Sequence, residues 1–158
     1  MRKSKFLIFY LSLLLILNSC GFKLRKPLDL DYQYYAIIGD SSELSKLIQK
    51  QLSFTEIKEK KDGNADLIIE IINNNFAKRI LSLAGNGQVG EFELVQTIEY
   101  RLKSSGQWSE PRRLEAIREY TYDPTLYNAA AAEESYLKDS MIEQLSRSLI
   151  TEINNLGK

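Results

Sequence analysis

Histidine is missing from all 158 residues, and cysteine occurs once. The first absence excludes imidazole general acid–base chemistry, Ser–His or Cys–His nucleophile pairs, and His-containing zinc sites. The second excludes an internal disulfide, because a lone thiol has no partner in its own chain. Net charge is absent too, with 21 Lys and Arg against 21 Asp and Glu. Lacking a Lys/Arg cluster, the chain is a poor nucleic-acid binder, since phosphate neutralisation drives that affinity. Its longest apolar run is short for a membrane span, which needs roughly 20 residues. These absences make most enzyme readings weak. What is present is a 44% hydrophobic chain, enough for one domain with a core.

The charge balance hides two unlike parts. Arg2, Lys3 and Lys5 form a basic start, and the twelve-residue run Phe6 to Leu17 follows. That pattern fits a signal-peptide core. Leu17-Asn18-Ser19-Cys20 resembles the bacterial lipobox, in which a peptidase cuts just before a cysteine diacylated on sulfur. We therefore expect residues 1–19 to be a lipoprotein signal peptide, 20–31 a lipidated N-terminus and tether, and 32–158 a single domain. The resemblance implies S-diacylglycerol and an N-acyl chain on Cys20, and no other cofactor. Two or more acyl chains anchor stably in a bilayer. Gly21, where an Asp would favour inner-membrane retention, points to the outer membrane. Without residues 1–19 the balance is 18 basic to 21 acidic residues, a net charge of −3. The bland alternative makes Cys20 an ordinary residue of an uncleaved anchor, yet the lone cysteine stands where the signal requires one.

Along the mature chain, Tyr32 to Gly39 reads as a strand. Ser41 and Ser42 can cap a helix from near Glu43, with Leu44, Leu47, Ile48 and Leu52 on one stripe. Glu56 to Asn64 reads as a charged loop. Leu67 to Ile72 is a nearly continuous apolar strand, as if covered on both faces. Asn73-Asn74-Asn75 marks a bulge before Phe76 to Leu83 resumes. Gly85-Asn86-Gly87 is the strongest hairpin turn. Beyond it Phe92, Leu94, Ile98, Tyr100 and Leu102 share one face, opposite Glu91, Glu93, Thr97, Glu99 and Arg101. Trp108 to Tyr122 reads as a fourth strand, and Asp123-Pro124 stops it. A long helix then runs to about Leu156, with a stripe of Leu137, Met141, Leu145, Leu149, Ile153 and Leu156. The order β-α-β-β-β-α argues an α+β fold: a small four-stranded mixed sheet with two helices packed on one face.

Cys20-Gly21-Phe22-Lys23-Leu24-Arg25 resembles the mature N-terminus of the LptE lipopolysaccharide-assembly lipoproteins, which runs Cys-Gly-aromatic-x-Leu-Arg. Gly21, Phe22, Leu24 and Arg25 carry that motif beside Cys20. Asn86-Gly87-Gln88 with the strand Glu91 to Leu102 is similar to that family's central hairpin. Asp123-Pro124 before Ala129 to Leu149 is similar to its strand-to-helix junction. The resemblance implies a non-catalytic lipoprotein at the periplasmic face of the outer membrane, anchored in its inner leaflet. It also implies a large β-barrel partner, LptD, plugged by this domain during delivery of lipopolysaccharide to the outer leaflet. Some relatives carry a basic residue at the hairpin tip and another early in the last helix. Here Gly85 and Ala129 to Ala132 take those places, leaving Lys78 and Arg79 as the nearest substitutes. Candidate barrel or glycolipid contacts are thus Lys78, Arg79, Asn86, Gly87 and Gln88.

Competing constellations are weaker. Glu133, Glu134 and Asp139 on the last helix read as surface charge rather than an acid–base pair. Asp62 to Asp66 lacks the ligand set of a calcium loop. The runner-up function is a lipid-tethered periplasmic binding module for another ligand or for peptidoglycan, which would need a concave pocket and no barrel.

Overall fold

The computed structural model describes residues 30–39, 42–60 and 64–156. Cys20, Gly21, Phe22, Leu24 and Arg25 lie outside the described residues, as do the rest of the tether up to residue 29 and the cap position Ser41. Six strands and two helices follow in the order β1 (Tyr34–Gly39), α1 (Glu43–Leu52), β2 (Lys58–Glu59), β3 (Leu67–Leu83), β4 (Val89–Ser104), β5 (Gln107–Trp108), β6 (Arg112–Thr121) and α2 (Tyr127–Leu156). They form one sheet, ordered β2-β1-β3-β4-β5, with β6 also paired to β4. β1 is parallel to β2 and β3, while the β3–β4, β4–β5 and β4–β6 pairs are antiparallel. The expected α+β class, mixed sheet and one-sided helices hold.

The strand count is six rather than four, for two reasons. Lys58 and Glu59, within the expected charged loop, pair with Tyr34 and Tyr35 as a short edge strand. The expected strand Trp108 to Tyr122 is cut by Ser109-Glu110-Pro111, because proline lacks the amide proton a ladder needs. β1 starts at Tyr34 instead of Tyr32. The Asp66 carboxylate accepts from the Gln33 and Tyr34 amides at 3.1 and 3.0 Å and fixes that start. Ser42 sits at the N-cap of α1 without a side-chain cap bond; its hydroxyl accepts from the Asn74 amide at 3.1 Å.

The bulge lies one residue before the asparagines. Ile71 faces Tyr100 and Asn73 faces Glu99, so Ile72 is the extra residue, and Asn73 to Asn75 pair in register. An extra residue reverses which side chains face the core, because the strand period is two. Leu67, Ile69 and Ile71 point to the helices before it, and Phe76 does so after it. Gln96, opposite Phe76, is buried on the same side and its side-chain amide donates to the Asn74 side-chain oxygen Oδ1 at 2.5 Å.

The core lies between this inner sheet face and the two helices. Leu44, Ile48 and Leu52 of α1 meet Met141, Leu145, Leu149 and Ile153 of α2 over Leu94, Ile98, Tyr100 and Leu102. The α2 stripe is shorter than its periodicity suggests: Leu137 is only partly buried, and Leu156 is 41% exposed. Buried polar groups tie the layers. Gln51 donates to the Ser146 hydroxyl at 2.6 Å, linking α1 to α2. Tyr100, fully buried, donates its hydroxyl to Glu152, which also accepts from Arg112 at 3.2 Å. Burial, then that carboxylate, pushes the Tyr100 hydroxyl well above its ordinary range. At Gly39, φ is +100°, and a Cβ would sit 2.2 Å from the Ile71 carbonyl oxygen. Only glycine closes β1 there.

Candidate functional surface

The β3–β4 hairpin extends past the core and ends in the tip Gly85 to Gln88. The Gly87 amide donates to the Ala84 carbonyl at 2.8 Å, and the Ala84 amide donates to Gln88 at 2.7 Å. Gly87 takes φ +79°, whereas Asn86 does not adopt a positive φ, so one glycine closes the turn instead of an Asn-Gly pair. The Asn86 side chain accepts from the Gln88 amide at 3.0 Å and donates to the Gln88 side chain at 2.9 Å. Asn86, Gly87 and Gln88 therefore form one rigid, exposed tip.

The candidate cations do not act together. The bulge at Ile72 sends Lys78 to the helix side and Arg79 to the outer face. Lys78 donates to Glu134 at 2.6 Å and lies 3.9 Å above the Phe92 ring. Glu134 also pairs with Lys138 at 2.8 Å and accepts from the Tyr120 hydroxyl at 3.0 Å. Burial would raise the Glu134 carboxyl, but hydrogen bonds from Lys138, Lys78 and Tyr120, with the Lys78 charge, bring it down to about 2. Burial would lower the Lys78 ammonium, yet Glu134 and Tyr120 hold it above its ordinary value. This cluster stitches α2 to the hairpin, so Glu134 is more than the surface charge expected. Its local signal was the Glu134–Lys138 spacing of four; the Lys78 contact is long-range.

Arg79 ion-pairs with Glu93 on the outer face. There β4 presents Glu91, Glu93, Thr97, Glu99 and Arg101, as the alternation predicts. Ser82 donates to Glu91 at 2.6 Å, Arg113 pairs with Glu115 at 2.6 Å, and Arg101 pairs with Glu70. Arg113 is also on this face, whereas Arg112 turns to Glu152 on the helix side. The outer face thus carries mixed charge, partly paired, with Ala77, Val95 and Ile117 as an apolar row across its middle.

The sequence profile described as "LptE: Lipopolysaccharide-assembly" matches residues 30–153. The chain belongs to the LptE family. It is 23% identical over 145 residues to the LPS-assembly lipoprotein LptE of Pectobacterium atrosepticum, covering 88% of this chain and 79% of that one. The LPS-assembly lipoprotein LptE of Yersinia pestis is also 23% identical, covering 88% of this chain and 70% of its own. Among solved structures, an uncharacterized lipoprotein B from Nitrosomonas europaea superposes with a TM-score of 0.72 at 27% identity, over 86% of this chain and 92% of that one. The rare lipoprotein B of Shewanella oneidensis has a TM-score of 0.68 at 24% identity, over 79% and 99% respectively, and shares the fold. LptE is a family of lipopolysaccharide-assembly lipoproteins rather than of enzymes, and the hairpin and all but the final three residues of the last helix fall within the matched span.

Proposed function

We propose that this chain is the lipid-anchored plug of an outer-membrane β-barrel, LptD, in delivery of lipopolysaccharide to the outer leaflet. Cys20 carries the acyl chains, and the folded domain sits at the periplasmic side within the barrel. The single observation behind this reading is the outer sheet face. Barrel lumens are polar, so a plug needs a folded, mixed-charge exterior. Paired charges such as Arg79–Glu93 and Arg113–Glu115 supply part of one. The same pairing favours a structural role over phosphate capture, because Lys78 and Arg79 are each already engaged by a carboxylate.

Purification of the tagged chain from an outer-membrane extract tests the reading. One large β-barrel recovered in near-equal amount is the expected result. Recovery of the chain alone, with the barrel present in that extract, sinks it and favours an independent binding module. Intact mass tests acylation separately: the native chain should carry acyl mass, and a Cys20→Ser chain should not.

A further inference from the structure

The outer sheet face changes character at the end remote from the hairpin tip. There Tyr34, Ala36 and Ile38 of β1 lie beside Ile68 of β3, and Trp108 of β5 stands across Lys103 of β4 from Ile68. Tyr34, Ile38 and Trp108 are 38%, 42% and 40% exposed, above buried Ala36 and Ile68. Cations stand among and beside these apolar groups, Arg101 and Lys103 between β3 and Trp108 and Lys60 at the edge. The Arg101 guanidinium lies 4.3 Å from the Trp108 ring centre, and the Lys103 ammonium lies 5.8 Å away. The Lys60 ammonium is 5.2 Å from the Tyr34 ring. Glu70 takes the Arg101 ion pair, and Glu59 flanks Lys60 on the edge strand.

The same end receives the chain from Cys20. The Tyr32 hydroxyl bonds the Ser104 hydroxyl at 3.1 Å, and Ser104 pairs with Gln107, the neighbour of Trp108. The ten peptide steps from Cys20 to Leu30 span at most about 35 Å. With Cys20 acylated, Leu30 is held within that distance of a bilayer surface, and the patch lies at the same end of the sheet. Indole and phenol rings favour the headgroup layer, where an apolar body and a polar edge are both satisfied. Lysine and arginine stems lie along apolar surface and lift their charges to lipid phosphates.

We propose that Tyr34, Ile38 and Trp108, with Lys60, Arg101 and Lys103, form a second, non-covalent membrane contact on anionic phospholipid headgroups. It rests on the acylation of Cys20 proposed above, and it orients the domain where the acyl chains alone would only tether it.

Trp108 is the chain's single tryptophan, so its emission reports the patch without a label. The full acylated chain, its acyl mass confirmed, is reconstituted in phosphatidylethanolamine–phosphatidylglycerol vesicles. We expect blue-shifted emission, quenched more strongly by lipids brominated near the headgroup than by lipids brominated near the chain ends. The double change Lys60→Glu and Lys103→Glu should leave the chain bound through its acyl groups yet cut that quenching by about half or more. Acylated, vesicle-bound chain whose Trp108 is quenched by aqueous acrylamide and by no brominated lipid overturns the proposal. Should acyl mass be missing, the Cys20 reading fails by itself, and the unacylated chain then decides for the patch. A salt-sensitive blue shift on anionic vesicles upholds the contact, and an unchanged spectrum overturns it.

Discussion

Glu134 joins residues that the sequence scatters: Lys78 from β3, Tyr120 from β6 and Lys138 from its own helix. Its carboxyl sits at about 2, against an ordinary 4.5, so the folded state favours the ionised form. A depressed carboxyl contributes stability that is fully present above its unfolded value and is lost as pH falls through its folded one. Thermal melts should therefore show the native chain losing stability between about pH 4.5 and 2 more steeply than Glu134→Gln. At neutral pH that substitution should cost about 1–2 kcal/mol, read by denaturant titration, because it removes charge-assisted bonds to partly buried lysines. Gly39 is the other decisive single position. Gly39→Ala places a methyl against the Ile71 carbonyl at a positive φ and should cost at least about 2 kcal/mol in the same assay. The glycine's place at a strand end was visible in the sequence, but the carbonyl it must clear belongs to another strand. The Glu134 cluster was hidden for the same reason, since three of its members meet only in the fold.

At the scale of elements, periodicity made the helices legible and single residues limited the rest. α1 begins at Glu43 as its stripe predicts, and Met141, Leu145, Leu149 and Ile153 of α2 are buried as theirs does. Leu145→Asp should therefore abolish the cooperative melt, as a lone carboxylate in the core has no partner. β2 escaped because two charged residues carry no period. The bulge escaped because Ile72 continues the apolar run, and only the pairing with β4 singles it out. Deleting Ile72 removes only the extra residue: Asn73 stays opposite Glu99, Lys78 stays on the helix side and Arg79 on the outer face. Such a chain should keep the Lys78–Glu134 pair and a cooperative melt, as circular dichroism would show. Alternation alone had no means of sorting those two adjacent cations.

Across the whole molecule, sheet and helices divide the labour by surface. The helix side closes the core, the distal outer face carries mixed charge on either side of an apolar row, and the base is aromatic. The family was readable from the sequence, because hairpin, strand-to-helix junction and last helix keep their order through residues 30–153. The fold's boundaries with its surroundings were less so, since they depend on cross-strand partners rather than on any one strand's composition. One such boundary has a practical outcome. β1 pairs with β3 only as far as Ile71, so from Asn73 to Leu83 the described residues give β3 a ladder on one side alone. A free strand margin of that length is a template for like strands from other copies. Isolated chain at high concentration should therefore gather into sheet-linked oligomers, so whatever covers this margin would also keep the protein dispersed.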